Sequence, residues 1–164
     1  MEPIKLEFDN RLADQLEADR LDYRTAAYWK IDKVVALILL GTGVYTVAGA
    51  GLHWWTLIWF PAAVAEWFNL LSLRPLQVRW FFKRNPKFRE TYRLTFSEES
   101  VHFKTASIDS QIAWTHYTRV IEGREVILLV YGTRMYTVIP TRAFADGAQK
   151  AAFLDLARRK ARRA

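Results

Sequence analysis

The sequence predicts a membrane α-helical hairpin joined to an α+β cytosolic domain, whose antiparallel curved sheet or barrel of about 6–7 strands is closed by a C-terminal helix. Three observations predict it. Residues 34–73 are apolar and carry one charge, Glu66, whereas the rest of the chain is strongly charged. From residue 90 onward, apolar and polar side chains alternate in short runs. The last two dozen residues return to helical spacing and end in Arg and Lys. This partition explains a mean hydropathy of only -0.08 in a chain that is 51% apolar.

Charge follows the same partition. Residues 1–33 hold 6 basic and 8 acidic side chains, and residues 74–164 hold 18 basic and 8 acidic, in a chain of net charge +7. There is no cysteine, so disulfides, thiolate metal sites and a cysteine nucleophile are excluded. The acidic start, MEPIKLEFDNRLADQLEADR, lacks the basic and apolar regions of a cleavable signal peptide.

In chain order, residues 1–33 read as a strand and an amphipathic helix. Ile4, Leu6 and Phe8 alternate with polar residues, and Asp9 or Asn10 supplies a helix cap. Leu12, Leu16, Ala18, Tyr23 and Ala27 recur at helical spacing, and no breaker separates this helix from the first apolar segment.

Residues 34–52 and 54–73 are the two predicted membrane helices, since about 20 apolar residues cross roughly 30 Å of hydrocarbon. The link between them, Gly49 to His53, is rich in helix breakers and uncharged. Arg and Lys flank the block on both sides but are absent from the link, which predicts both termini in the cytosol and His53 near the outer surface. Trp54, Trp55 and Trp59 mark the outer end, and Trp67 and Trp80 the inner. Gly41, Gly43, Ala48 and Ala50 leave room for close helix packing or for a second copy, a possible homo-oligomer. Glu66 is expected about 10 Å from the inner end, either bonded to Asn69 and the headgroups, or in contact with a partner helix, or on an ion path.

Residues 74–88 form a basic juxtamembrane segment in which Arg79, Lys83, Arg84 and Lys87 interleave with aromatics. Beside an apolar span, this pattern points to anionic lipid headgroups rather than nucleic acid. In residues 89–164, the runs ETYRLTF, SVHFKTA, SQIAWTH, TRVIEG, VILLVY and RMYTVIP read as a meander with short polar separators. A helix is expected over 143–162, its basic last turns matching the helix dipole and also available to the membrane. A small curved sheet closed by one helix suggests the pleckstrin-homology arrangement, with an SH3-like or split barrel as alternatives.

Catalytic chemistry has no foothold. No Walker, G-x-G-x-x-G or G-x-S-x-G motif is present, and His53, His102 and His116 show no ligand spacing, so neither a metal nor a cofactor is expected. Trp114, Tyr117 and Phe144 are expected to build the domain core, its seam with the last helix, or a ligand groove there.

The phrases FSEESVHF, Phe96 to Phe103, IAWTHYTRVIE, Ile112 to Glu122, and IPTRAF, Ile139 to Phe144, resemble those of the YcxB-like membrane proteins. Ser100 stands where glycine is common in that family. The resemblance implies a bacterial inner-membrane protein with a pleckstrin-homology-like cytosolic domain and transfers no catalytic residue. The expected function is therefore non-catalytic: a multi-pass anchor presents an interaction domain to lipid or an unknown protein partner. The alternatives are an accessory subunit of a larger membrane complex, or a transport component using Glu66.

Overall fold

The computed structural model describes residues 3–26, 28–70, 72–133 and 135–161. The chain divides into two compact units: residues 1–22 with 76–164, and residues 23–75.

The first unit is α+β. Strand β1, Ile4–Asp9, buries Ile4, Leu6 and Phe8 and exposes the residues between them. It pairs antiparallel with β2, Thr91–Phe96, so that Ile4 faces Phe96 and Phe8 faces Tyr92. The N-terminal strand thus joins a sheet whose other members follow the whole apolar block. Strands β3, Ser100–Lys104, and β4, Asp109–Ala113, complete a four-stranded sheet in the order β1-β2-β3-β4. A second sheet holds β5, Arg119–Glu122, β6, Val126–Gly132, and β7, Met135–Pro140, in that order.

The expected single curved sheet or barrel forms instead as two antiparallel sheets, of four and three strands. The run SQIAWTH is strand only to Ala113; Trp114–His116 then make a 3₁₀ turn, and the chain passes into the other sheet. Burial dictates the corner: Trp114 is 4% exposed, and its indole N–H donates to the Ser97 carbonyl at 2.8 Å. A buried indole needs such an acceptor.

Strand β6 reads VILLV because both its faces are covered. Ile127 and Leu129 enter a core with Phe96, Tyr117 and Phe153. Val126, Leu128 and Val130 face a second cluster with Ala18 and Leu21 of helix α1, Leu12–Thr25. That helix lies over the outer face of the three-stranded sheet. Gly123 permits the approach, because a Cβ there would lie 2.6 Å from Leu21 Cδ2 and 2.8 Å from the Val126 carbonyl oxygen. Ala27, expected on the same apolar stripe, lies outside the described residues.

An ion pair fixes the start of α1. Asp14, with a side chain 7% exposed, accepts from Arg142 Nη1 at 2.5 Å and Nη2 at 2.7 Å, and Nη2 also reaches the Asp9 carbonyl at 3.0 Å. The same carboxylate accepts the Arg11 N–H at 3.0 Å, as an acidic residue in a first helical turn does.

The last helix of the series, α6, is Gly147–Ala161, four residues shorter at its start than expected. Thr141–Ala143 form a 3₁₀ turn that delivers Arg142 to Asp14, and Phe144 is buried. Asp146 then caps the helix, accepting the Gln149 N–H at 2.7 Å, while Gln149 accepts the Ala145 N–H at 2.8 Å. Residue 162 lies outside the described residues. Phe153 of α6 packs on Phe96 and Phe144, with ring centroids 4.6 and 5.4 Å apart. Burying such a ring is worth about 1.5–3 kcal/mol.

The second unit is a helix pair. Helix α2, Tyr28–Ala50, runs antiparallel to two shorter helices, α3, Trp54–Leu57, and α4, Trp59–Trp67. The second apolar segment is therefore not one helix over 54–73. Pro61 explains the break, since its ring clashes with the carbonyl four residues back, at Leu57, where α3 ends. The far end stops at Asn69, which has φ 53. The Leu70 N–H donates to the Ala65 carbonyl at 2.8 Å and the Asn69 N–H to the Glu66 carbonyl at 3.0 Å, a Schellman close with Asn in the left-handed position.

Helix α2 meets α4 through small residues. Ala36, Gly43 and Ala63 are buried, and a Cβ on Gly43 would lie 3.1 Å from Trp59 Cβ. Gly41, by contrast, has nothing within 4 Å of such an atom, and Ala48 and Ala50 are exposed. In the connecting turn, Gly51 adopts φ 82. The fully buried Thr56 hydroxyl bonds the His53 N–H at 3.0 Å and the carbonyls of Gly51 and His53 at 3.1 and 2.8 Å.

Candidate membrane interface

Helix α2 is 23 residues long and apolar enough to cross a bilayer, yet only 11% of its most apolar window is buried. Val34, Leu37, Ile38, Val44 and Tyr45 are all more than half exposed, and so are Leu52, Trp54, Ile58 and Val64 beyond them. A helix that is apolar all round belongs in a core or in lipid, and among the described residues of this unit nothing covers these side chains.

Charge gathers at the other end of the pair. Tyr23 donates its hydroxyl to Asp32, and burial together with that bond pushes its phenol up to about 12. The Arg74 guanidinium lies over the rings of Tyr23 and Tyr28, at 4.4 and 5.7 Å. Lys33 donates to the Trp67 carbonyl at the end of α4 and sits 4.2 Å above the Trp67 ring. A cation there complements the helix dipole. Glu66 occupies the last turn of α4 and is half-buried. It therefore stands within one turn of the helix end, level with these charges, rather than the expected two turns inside a longer span. Asn69 closes the helix through its backbone.

The four basic residues expected to meet lipid fall on one short stretch. Arg79, Lys83 and Arg84 ride on α5, Arg74–Arg84, and Lys87 on the 3₁₀ turn Pro86–Arg89 that follows. All four side chains are exposed. Arg84 lies 4.9 Å above the Trp80 ring. Val78 and Phe82, on the other side of α5, line a groove of 340 Å³ with Phe88 and the β6–β7 turn.

Trp114, Tyr117 and Phe144 are 4, 1 and 8% exposed and belong to the core under α6. Only Tyr117 touches a second groove, of 390 Å³, where it meets Phe103, Ile112, His116 and Tyr131. Burial pushes the Tyr117 phenol up. His102 bonds Asp109 across the β3–β4 pair at 2.6 Å, and Lys104 reaches the same carboxylate at 2.8 Å, a meeting that strand register creates and linear spacing hides. Among the described residues no three metal-ligating side chains converge.

The basic end of α6 is partnered. Glu122 accepts from Lys150 at 2.9 Å and Arg158 at 2.8 Å, and Glu98 from Lys160 at 2.9 Å and Arg159 at 3.6 Å. Lys150 and Lys160, foremost, hold these two carboxyls below the ordinary range.

The family described as YcxB-like protein matches residues 96–157, from the end of β2 into α6. That match covers less than half of the chain. No curated protein and no solved structure matches it. The matched region leaves out the helix pair, β1 and α1, and several residues in it are framework. Ser97 receives the Trp114 indole, Glu98 and Glu122 hold α6, Tyr117 fills the core, and Arg142 clamps Asp14.

Proposed function

We propose that this chain is a membrane-anchored, non-catalytic interaction protein of the bacterial inner membrane. The helix pair α2–α4 is the anchor and crosses the bilayer as a hairpin, with both termini cytosolic. The α+β unit, built of sheets of four and three strands under one C-terminal helix, is of the pleckstrin-homology kind and works at the cytosolic leaflet. Arg79, Lys83, Arg84 and Lys87 bind anionic headgroups, each worth about 1 kcal/mol near the surface.

The observation that carries this reading is the exposure of apolar side chains over most of α2, away from its contact with α4. The ring of Tyr23, Tyr28, Lys33, Trp67 and Arg74 at one end supports it, since aromatic and cationic groups prefer the interfacial layer. Replacing the four basic residues by Glu tests it. The variant should stay carbonate-resistant in membranes but lose protection of α5 from protease; unchanged protection overturns the lipid contact, and extraction of the wild type by carbonate overturns the anchor.

A second reading, an accessory subunit, draws support from Gly41, which leaves open space beside α2 for another helix. Co-purification of one stoichiometric partner in mild detergent is its test.

A further inference from the structure

The α+β unit leaves its large apolar side chains uncovered in one place. Among its described residues, the exposed ones are Leu76, Trp80 and Phe81 on α5, and Tyr131 and Met135 at the β6–β7 turn. The two groups adjoin. Phe81 and Met135, each 54% exposed, stand with Tyr131 around the 340 Å³ groove. Soluble domains rarely leave such a patch open without a partner.

We propose that the β6–β7 turn is a second membrane-inserting element, which places Tyr131 and Met135 at the boundary of headgroups and acyl chains beside α5. The inference rests on the membrane reading above. Two features select a bilayer as the occupant. No acidic residue lies between Arg74 and Arg89, so the patch is bordered by a basic run that fits an anionic surface. The chain also continues directly from Leu73, the end of the apolar block, into α5, which tethers this face to the lipid. The described basic residues of α6 offer no rival surface, being held by Glu98 and Glu122. A single helix lying in the interface leaves a domain free to roll about that helix; a second apolar contact fixes its orientation.

The chain has no cysteine, so single labelling sites are clean. Met135→Cys, and Ala151→Cys on the exposed side of α6 as control, are labelled with an environment-sensitive fluorophore in the full chain and reconstituted in phosphatidylglycerol-containing nanodiscs. The Met135 probe should be blue-shifted and quenched by nitroxide-bearing lipids, and the Ala151 probe should be neither. Adding Tyr131→Asp should raise the unquenched fraction about tenfold, the worth of one desolvated large apolar side chain. A Met135 probe in water on a carbonate-resistant chain overturns this inference and leaves the anchor standing. A probe that is dry yet untouched by lipid nitroxides overturns it in favour of a covering protein. A chain released by carbonate overturns both readings.

Discussion

Replacing Arg142 by Ala removes both hydrogen bonds, at 2.5 and 2.7 Å, from a carboxylate whose side chain is 7% exposed. Stripping one member from a buried ion pair costs about 3–5 kcal/mol. Two features reduce that figure here. The Arg142 side chain is 37% exposed, so water can reach the site, and the Arg11 N–H still donates to Asp14 at 3.0 Å. The expected loss is therefore about 2–3 kcal/mol, or a fall of roughly 8–20 °C in the melting temperature of a unit of this size. Thermal unfolding of the purified chain in detergent, followed by near-ultraviolet circular dichroism, reads it. Asp14→Asn combined with Arg142→Ala should lose less than the two single changes together, by about 1–2 kcal/mol, because no unpaired charge is then left behind. A single Arg142→Ala variant that melts within about 2 °C of the wild type, or strict additivity in the cycle, refutes the reasoning.

Two further outcomes follow from packing and charge. Gly43→Ile should destabilise the helix pair by about 1–3 kcal/mol, because a Cβ already lies 3.1 Å from Trp59, whereas Gly41→Ile should be nearly silent; equal effects at both positions in a detergent-denaturation series would contradict the packing. The Glu98, Glu122 and Asp109 carboxyls are held below their ordinary values, chiefly by Lys160, Lys150 and Lys104. A depressed carboxyl stabilises fully above its unfolded value and loses that contribution as pH falls through its folded one. Stability should thus be flat from neutrality to about pH 5 and decline below the ordinary 4.5, less steeply in Glu122→Gln; a decline already evident at neutral pH would contradict this.

The strands were legible because most have one wet face, and alternation reports it directly. Even β6 was recognisable, as a short run of branched residues between turn signals. Its second cover, Ala18 and Leu21 of α1, was not, because nothing local to β6 says what lies above it. The division into two sheets hung on Trp114, whose indole partner is a backbone carbonyl with no signature in sequence. Two misses did have signals. Pro61 sits inside the second apolar segment and marks the helix break, and Asp146 with Gln149 is the spacing of a capping box that sets the start of α6. Arg142 and Asp14 are 128 residues apart, and only the fold brings them together. At the candidate interface, the basic run on α5 was readable, but the contribution of Tyr131 and Met135 depends on a hairpin folding back beside it.

The placement of β1 has a consequence for biosynthesis. Asp9 and Thr91 are bonded neighbours, 82 residues apart. At about 5–20 residues per second, the first strand leaves the ribosome some seconds before its partner exists. In the interval the whole apolar block, residues 34–73, is made. The sheet can close only afterwards, so completion of the domain reports that this block has been synthesised in full.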